Sequence, residues 1–234
     1  MKLYKYKTCD KRNIATLYNN QLWVSNLYNM NDPQDSSIYV YKSDCLYEVS
    51  LIDEFINNFQ KSVYCMSFSL KNNSNRLWNY YSNGMRGMIL VYNINDIETA
   101  LKEQKLINYE KGSVTYSDKK LNCEDEFNKY LSNEEINISL NKCFIKNKSW
   151  EDEEEYRFIL PNINKDDGLL LCNIKPIEII VGYKISKKDY NNLYKYADIN
   201  NITLKICYPN FKSNRFNSYI LTNESLNEIK KEII

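Results

Sequence analysis

The residues best suited to chemistry stand in one short segment. Trp150-Glu151-Asp152-Glu153-Glu154-Glu155-Tyr156-Arg157 gathers carboxylates, and Glu153 and Glu155 are two apart. In a strand that spacing puts both on one face, with Glu154 opposite and Arg157 on the same face as Glu155. Paired carboxylates can divide acid and base work, stabilise a developing positive charge or hold a divalent cation. They carry unusual weight here because the 234-residue chain contains no histidine. Imidazole acid–base catalysis, Ser-His-Asp and Cys-His nucleophiles and His-ligated zinc or iron are excluded. Proton transfer falls to Asp, Glu, Lys, Tyr or Cys. The seven cysteines include no Cys-x-x-Cys pair. Reduced, mostly buried thiols are therefore expected, and a structural metal is not.

Composition narrows the class further. Lys+Arg 31 against Asp+Glu 30 leaves a net charge of +1, which gives no electrostatic footprint for a broad nucleic-acid surface. No apolar run follows the N-terminal charges, and the apolar stretch Met88 to Tyr92 is too short to span a bilayer. A cytoplasmic protein without a membrane partner is expected. Five glycines and four prolines leave little room for flexible linkers, so residues 1–234 read as a single compact domain.

The elements that must position the carboxylates follow from periodicity. Leu3 to Lys7 alternates as a half-exposed strand, and Asp10 caps a helix running to Asn19. Strands are predicted over Gln21 to Val24, Val63 to Ser69, Gly87 to Tyr92, Ser113 to Ser117, Glu154 to Leu160, Leu169 to Ile174, Ile177 to Tyr183, Ile202 to Tyr208 and Phe216 to Leu221. Helices are predicted over Ile52 to Phe59, Asn75 to Ser82, Asp96 to Gln104, most of Glu124 to Asn147, Lys187 to Tyr196, and from Asn223 onward. Asn29 to Asp35 reads as a turn-rich loop around Pro33. No glycine-rich phosphate loop follows a strand and no strict βαβ rhythm appears. The fold class is therefore α+β, with a mixed, largely antiparallel sheet, continuous or split, flanked by helices.

Five ordered segments resemble a bacterial family known as the domain of unknown function family numbered 2971. They are Leu3-Tyr4-Lys5-Tyr6-Lys7; Leu22 to Asp35 with its Asn31-Asp32-Pro33; Cys65-Met66-Ser67 with Leu77-Trp78-Asn79-Tyr80-Tyr81 and Arg86-Gly87; Val114-Thr115-Tyr116; and Trp150 to Arg157. The chain departs from the family's usual pattern at Lys7, where Arg is common, and at Met85, where His is common. A more distant resemblance is to the mono-ADP-ribosyltransferases. Their strand-borne order of a basic residue, a Ser-x-Ser and a Glu-x-Glu is similar to Lys5 and Lys7, Ser67-Phe68-Ser69 and Glu153-Glu154-Glu155.

That second resemblance implies an ADP-ribosyltransferase-like fold and an NAD-consuming enzyme, of the kind used as a bacterial or phage toxin or defence effector. The glycosidic bond to nicotinamide breaks through an oxocarbenium-like state that needs a nearby carboxylate and no imidazole. It assigns Glu155 to the ribose and Glu153 to the acceptor, an unidentified macromolecule. Lys5 and Lys7 would hold the pyrophosphate, and Tyr6, Trp78 or Tyr81 would stack on a ring. Asn31 and Asp32 would line a pocket rim, Ser67 and Ser69 would support the nucleotide, and Arg157 would contact phosphate or hold Glu155 ionised.

Plainer structural roles compete at each position. Acidic runs are usually solvated, and Arg157 with Glu155 can be a structural ion pair. Trp78 and Tyr81 at helical spacing suit a core, Asn31-Asp32-Pro33 suits a turn, and Ser67 and Ser69 suit backbone bonding. Two other functions fit the residues. One is a non-catalytic module that binds a nucleotide or protein through a Tyr-rich surface. The other is a metal-dependent nuclease using Asp32, Asp35, Glu153 and Glu155.

Overall fold

A computed structural model describes residues 1–30, 38–119, 121–132, 134, 139–161, 163, 167–210 and 215–220. The chain runs β1 (Lys2–Lys7), α1 (Lys11–Tyr18), β2 (Leu22–Asn26), β3 (Ile38–Tyr39), α2 (Leu46–Ser62), β4 (Val63–Ser69), α3 (Asn75–Tyr81), β5 (Met88–Asn93), α4 (Ile94–Glu103) and β6 (Glu110–Ser113). It continues with β7 (Thr115–Tyr116), β8 (Leu121–Asn122), α5 (Glu124–Leu131), β9 (Ile145–Lys146), β10 (Glu155–Pro161), β11 (Gly168–Leu171), β12 (Glu178–Gly182), α6 (Lys187–Asn200), β13 (Thr203–Asn210) and β14 (Arg215–Ile220). The architecture is α+β: strand pairing is mixed and largely antiparallel, with helices flanking it.

Local chemistry explains most of these boundaries. Asp10 caps α1 by accepting the Asn13 N–H at 2.8 Å, and Ser186 caps α6 by accepting the Asp189 N–H at 3.1 Å. Strand β4, Val-Tyr-Cys-Met-Ser-Phe-Ser, keeps its predicted bounds because β-branched and aromatic residues fill it. Helix α2 starts earlier than Ile52, and its first turn is solvent-facing, with Leu46 at 87% exposure. Leu46, Tyr47 and Val49 are apolar there but stay exposed, so the turn is helical without contributing to the core.

The predicted helix over Glu124 to Asn147 is corrected. It ends at Leu131, and a 3₁₀ turn at Leu140–Phe144 and the short strand β9 follow. β9 is held by pairing with β7, Thr115 opposite Ile145 and Tyr116 opposite Lys146. This is a non-local choice that helix propensity cannot anticipate. The expected helix from Asn223, and residues 31–35 of the predicted Asn29 to Asp35 loop, lie outside the described residues.

The chain divides into two compact units, each discontinuous in sequence. The first comprises Met1–Leu22, Phe68–Ala100 and Cys172–Ile234. In it β1 lies antiparallel to β5, with Lys7 opposite Met88, and β5 lies antiparallel to β12. β12 and β13 are parallel, joined by α6 as the crossover such a pair requires, and β14 returns antiparallel to β13. Tyr6, Leu77, Trp78, Met85, Ile89, Val91, Ile180 and Cys207 form a core on one face of these strands. Backbones approach closely beneath it: a Cβ on Gly182 would overlap the Met85 carbonyl, and one on Gly87 the Lys7 carbonyl oxygen.

The second unit comprises Trp23–Ser67 and Leu101–Leu171. β2 pairs antiparallel with β4, Ser25 opposite Cys65. β10 pairs with β4 and also antiparallel with β6, where Arg157 stands opposite Gly112. One core cluster joins Leu27, Phe59, Val63, Cys65, Cys143 and Ile159. Another joins Val40, Ile52, Phe55, Cys123 and Phe127, with the Phe55 and Phe127 rings edge to face at 5.5 Å. Among the described residues, no helix is long and apolar enough to cross a membrane.

Candidate functional site

The acidic segment of the second unit folds into a turn followed by a strand. Asn147 caps a 3₁₀ turn, Lys148–Glu153, by accepting the Ser149 N–H at 2.9 Å. Glu154 then takes a left-handed conformation, φ +40°, and its N–H bonds the Glu151 carbonyl at 3.2 Å. The strand begins only at Glu155. Glu153 and Glu155 are thus not neighbours on a strand face, which corrects the sequence expectation. The left-handed residue between them reverses the chain locally and turns both side chains inward. Glu151, Asp152 and Glu154 are exposed, whereas Glu153 and Glu155 are 5% and 4% exposed. Solvation accounts for part of the acidic run and not for this pair.

Four charged side chains converge here. Lys146 Nζ lies 2.7 Å from Glu153 Oε2 and 3.1 Å from Glu155 Oε2. Arg157 Nε donates to Glu155 Oε1 at 2.8 Å and Nη2 donates to Oε2 at 3.0 Å, the fork geometry of a bidentate pair. The third arm, Nη1, donates to the Cys143 carbonyl at 2.7 Å. The Glu155 N–H donates to the Tyr116 hydroxyl oxygen at 2.8 Å. The Ser67 side chain hydrogen-bonds the Glu155 carboxylate. The Trp150 ring stands 5.0 Å from the Lys146 ammonium, a cation–π distance.

Two cations against two carboxylates balance, as burial of charge requires. Burial alone pushes the Glu155 carboxyl up. The Arg157 and Lys146 charges, with hydrogen bonds from Arg157 and Ser67, outweigh that and hold it down at about 2. Burial, with the Glu155 and Glu153 charges, pushes the Tyr116 hydroxyl up to about 12, against the opposing bond from the Glu155 backbone and the Lys146 charge. The site therefore offers a carboxylate that is ionised at neutral pH and preorganised by its neighbours. That suits stabilisation of positive charge better than proton uptake.

The remaining predicted site residues belong to the first unit or lie outside the described residues. Lys5 and Lys7 alternate with Tyr4 and Tyr6 along β1 and so project from the opposite sheet face to Tyr6. Lys5 Nζ sits 5.3 Å from the Phe68 ring centroid. Lys7 is half-buried, and its amine falls to about 7 through burial, then the Lys5 charge, against the pull of Asp10. Tyr6 is edge-on to Trp78 at 5.5 Å, and its hydroxyl donates to the Lys71 carbonyl at 3.1 Å. Trp78 is 1% exposed and Tyr6 6% exposed, with Tyr81 packed against the same cluster. Stacking on a nucleotide is thus corrected for Trp78 and Tyr6 to core packing, because both rings are buried in one apolar cluster with Ile89, Val91 and Ile180. Ser69 Oγ accepts the Lys71 N–H at 3.0 Å. Asn31, Asp32 and Asp35 lie outside the described residues.

Sequence reasoning missed Lys146, the ammonium that joins the two carboxylates, because nothing around it carries a motif. Tyr116 and Trp150 stand in the segments Val114-Thr115-Tyr116 and Trp150 to Arg157 that carry the family resemblance, which is the signal that points to them. Among the described residues, no group of three or more Cys, Asp and Glu is placed to hold a metal.

The stretch from the start of α3 through most of β10 contains Trp78, Arg86-Gly87, Tyr116 and the whole ion cluster except Ser67. Residues 77–158 match the family described as protein of unknown function (DUF2971). The match supports the family resemblance seen in the sequence, and it ends one residue past Arg157. Within the matched stretch, Trp78 and Gly87 support the fold, whereas Glu153, Glu155 and Arg157 form its charged centre. No curated protein and no solved structure matches the chain.

Proposed function

We propose that the chain is an NAD-dependent ADP-ribosyltransferase in which Glu155 is the ribose-facing carboxylate and Glu153 orients the acceptor. The supporting observation is the hydrogen bond between Ser67 and Glu155. The Ser-x-Ser and Glu-x-Glu elements, distant in sequence, meet side chain to side chain. In the reaction the bond between nicotinamide and the ribose anomeric carbon breaks, and its electron pair leaves with nicotinamide. The acceptor's lone pair closes on that carbon, and the acceptor proton passes to a base. An ionised Glu155 stabilises the positive charge that develops on the ribose. Lys146 bonds Glu153 more closely than Glu155, 2.7 Å against 3.1 Å. It can therefore release Glu155 to a ribose hydroxyl while keeping its own charge paired.

A second reading, a non-catalytic nucleotide- or protein-binding module, rests on a specific observation. Arg157 bonds both Glu155 oxygens, and Lys146 and Ser67 bond the carboxylate as well. A carboxylate has about four acceptor positions, so these partners can occupy all of them. Incubation with nicotinamide-labelled NAD and cell lysate separates the two. Nicotinamide release that Glu155→Gln abolishes supports the enzyme. Calorimetric NAD binding without release supports the module, and the absence of both signals defeats the transferase reading.

A further inference from the structure

A second polar cluster lies in the same unit, apart from the carboxylate pair. Cys123 sits at the N-terminus of α5 and is fully buried. Lys142, in the 3₁₀ turn Leu140–Phe144, reaches it with Nζ 3.0 Å from Sγ. The same ammonium lies 2.6 Å from Glu126 Oε1 and 3.1 Å from the Asn122 carbonyl. Its three N–H bonds are thus committed to a sulfur, a carboxylate and a carbonyl, which fixes the nitrogen beside the thiol. Lys142 and Glu126 keep 15% and 21% of their side-chain surface, so the cluster meets solvent on their side while the sulfur lies behind them.

We propose that Cys123 and Lys142 are the partners of an oxidant-driven sulfur–nitrogen bond, a sulfenamide cross-link. The oxidant is a peroxide. The Cys123 sulfur takes one peroxide oxygen, the O–O bond breaks, and water leaves, giving a sulfenic acid. One ammonium proton of Lys142 passes to the sulfenic oxygen, the nitrogen attacks the sulfur, the S–N bond forms, the S–O bond breaks and a second water leaves. The S–N nitrogen then gives its extra proton to Glu126. Sulfur is oxidised by two electrons and one peroxide is reduced. In sum, a thiol, an amine and hydrogen peroxide yield the sulfenamide and two waters. A thiol reductant reverses the bond. The link ties the start of α5 to the turn whose Cys143 carbonyl holds Arg157, so it braces the support of the ion cluster.

The test treats the reduced, native full chain with graded hydrogen peroxide, digests it with trypsin and maps the peptides by mass. The expected product joins the Cys123 peptide to the Lys142 peptide, two hydrogens lighter than their sum and uncleaved after Lys142. Dithiothreitol restores the separate peptides. Lys142→Arg loses the link, and dimedone then traps Cys123 as its sulfenic acid. Exposed Cys45 is the internal control for oxidant dose. Cys123 remaining a free thiol while Cys45 oxidises overturns the proposal. So does Cys123 recovered as sulfinic acid or in a disulfide, with Lys142 cleaved normally.

Discussion

Arg157 grips Glu155 with two parallel hydrogen bonds, Nε to Oε1 at 2.8 Å and Nη2 to Oε2 at 3.0 Å, at 0% and 4% side-chain exposure. Both charges are out of water, so each depends on the other. Arg157→Leu leaves a buried carboxylate with Lys146 as its remaining cation and is expected to cost about 3–5 kcal/mol. Arg157→Lys keeps the charge but loses the fork and the bond to the Cys143 carbonyl, and is expected to recover only part of that. Urea unfolding of both variants checks the order.

Acid should weaken the second unit through the same pair. The Glu155 carboxyl is held at about 2, below its ordinary 4.5, so the unfolded chain binds more protons. Its contribution to stability is complete above about 4.5 and is lost as the pH falls toward about 2. Glu155→Gln is expected to flatten stability against pH across that window. Unfolding midpoints measured through the acid range read the difference.

Lys7 carries the opposite kind of strain. Its amine falls from 10.5 to about 7 because burial and Lys5 disfavour the cation. The stabilising contribution of the neutral form is full above 10.5 and is lost as the pH falls through about 7. Lys7→Met is expected to remove that dependence. Lys7 should also be acylated ahead of other lysines by a limiting amine reagent at about pH 8, since its amine is largely unprotonated there. Peptide mapping gives the labelling order.

Gly182 is sterically constrained. A Cβ at this position would overlap the carbonyl of Met85, which is itself in the left-handed region at φ +69°. The obstacle is backbone, which cannot rotate away. Gly182→Ala is expected to cost about 1–3 kcal/mol in thermal or urea unfolding.

Much of this fold is legible in local signals. Asp10 and Ser186 announce helix starts because a short polar side chain accepts the first free N–H groups. Val63–Ser69 reads as a strand from its residue types alone. The site was less legible. Glu153 and Glu155 are recognisable as a pair, but their convergence depends on Glu154 at φ +40°, a conformation that a glutamate does not advertise. Lys146 is one lysine among many until β9 pairs with β7.

The sequence by itself determined the α+β class, most strand and helix positions, and the exclusion of every imidazole mechanism, because these follow from residue types and near-neighbour spacing. It also singled out Glu153 and Glu155 from the acidic run. Only the tertiary structure decided that Glu153 ends a turn, that Lys146 bridges it to Glu155, and that Trp78 and Tyr6 face a core. Those facts depend on pairings between distant segments and on the charge balance that burial demands, and neither has a local signature.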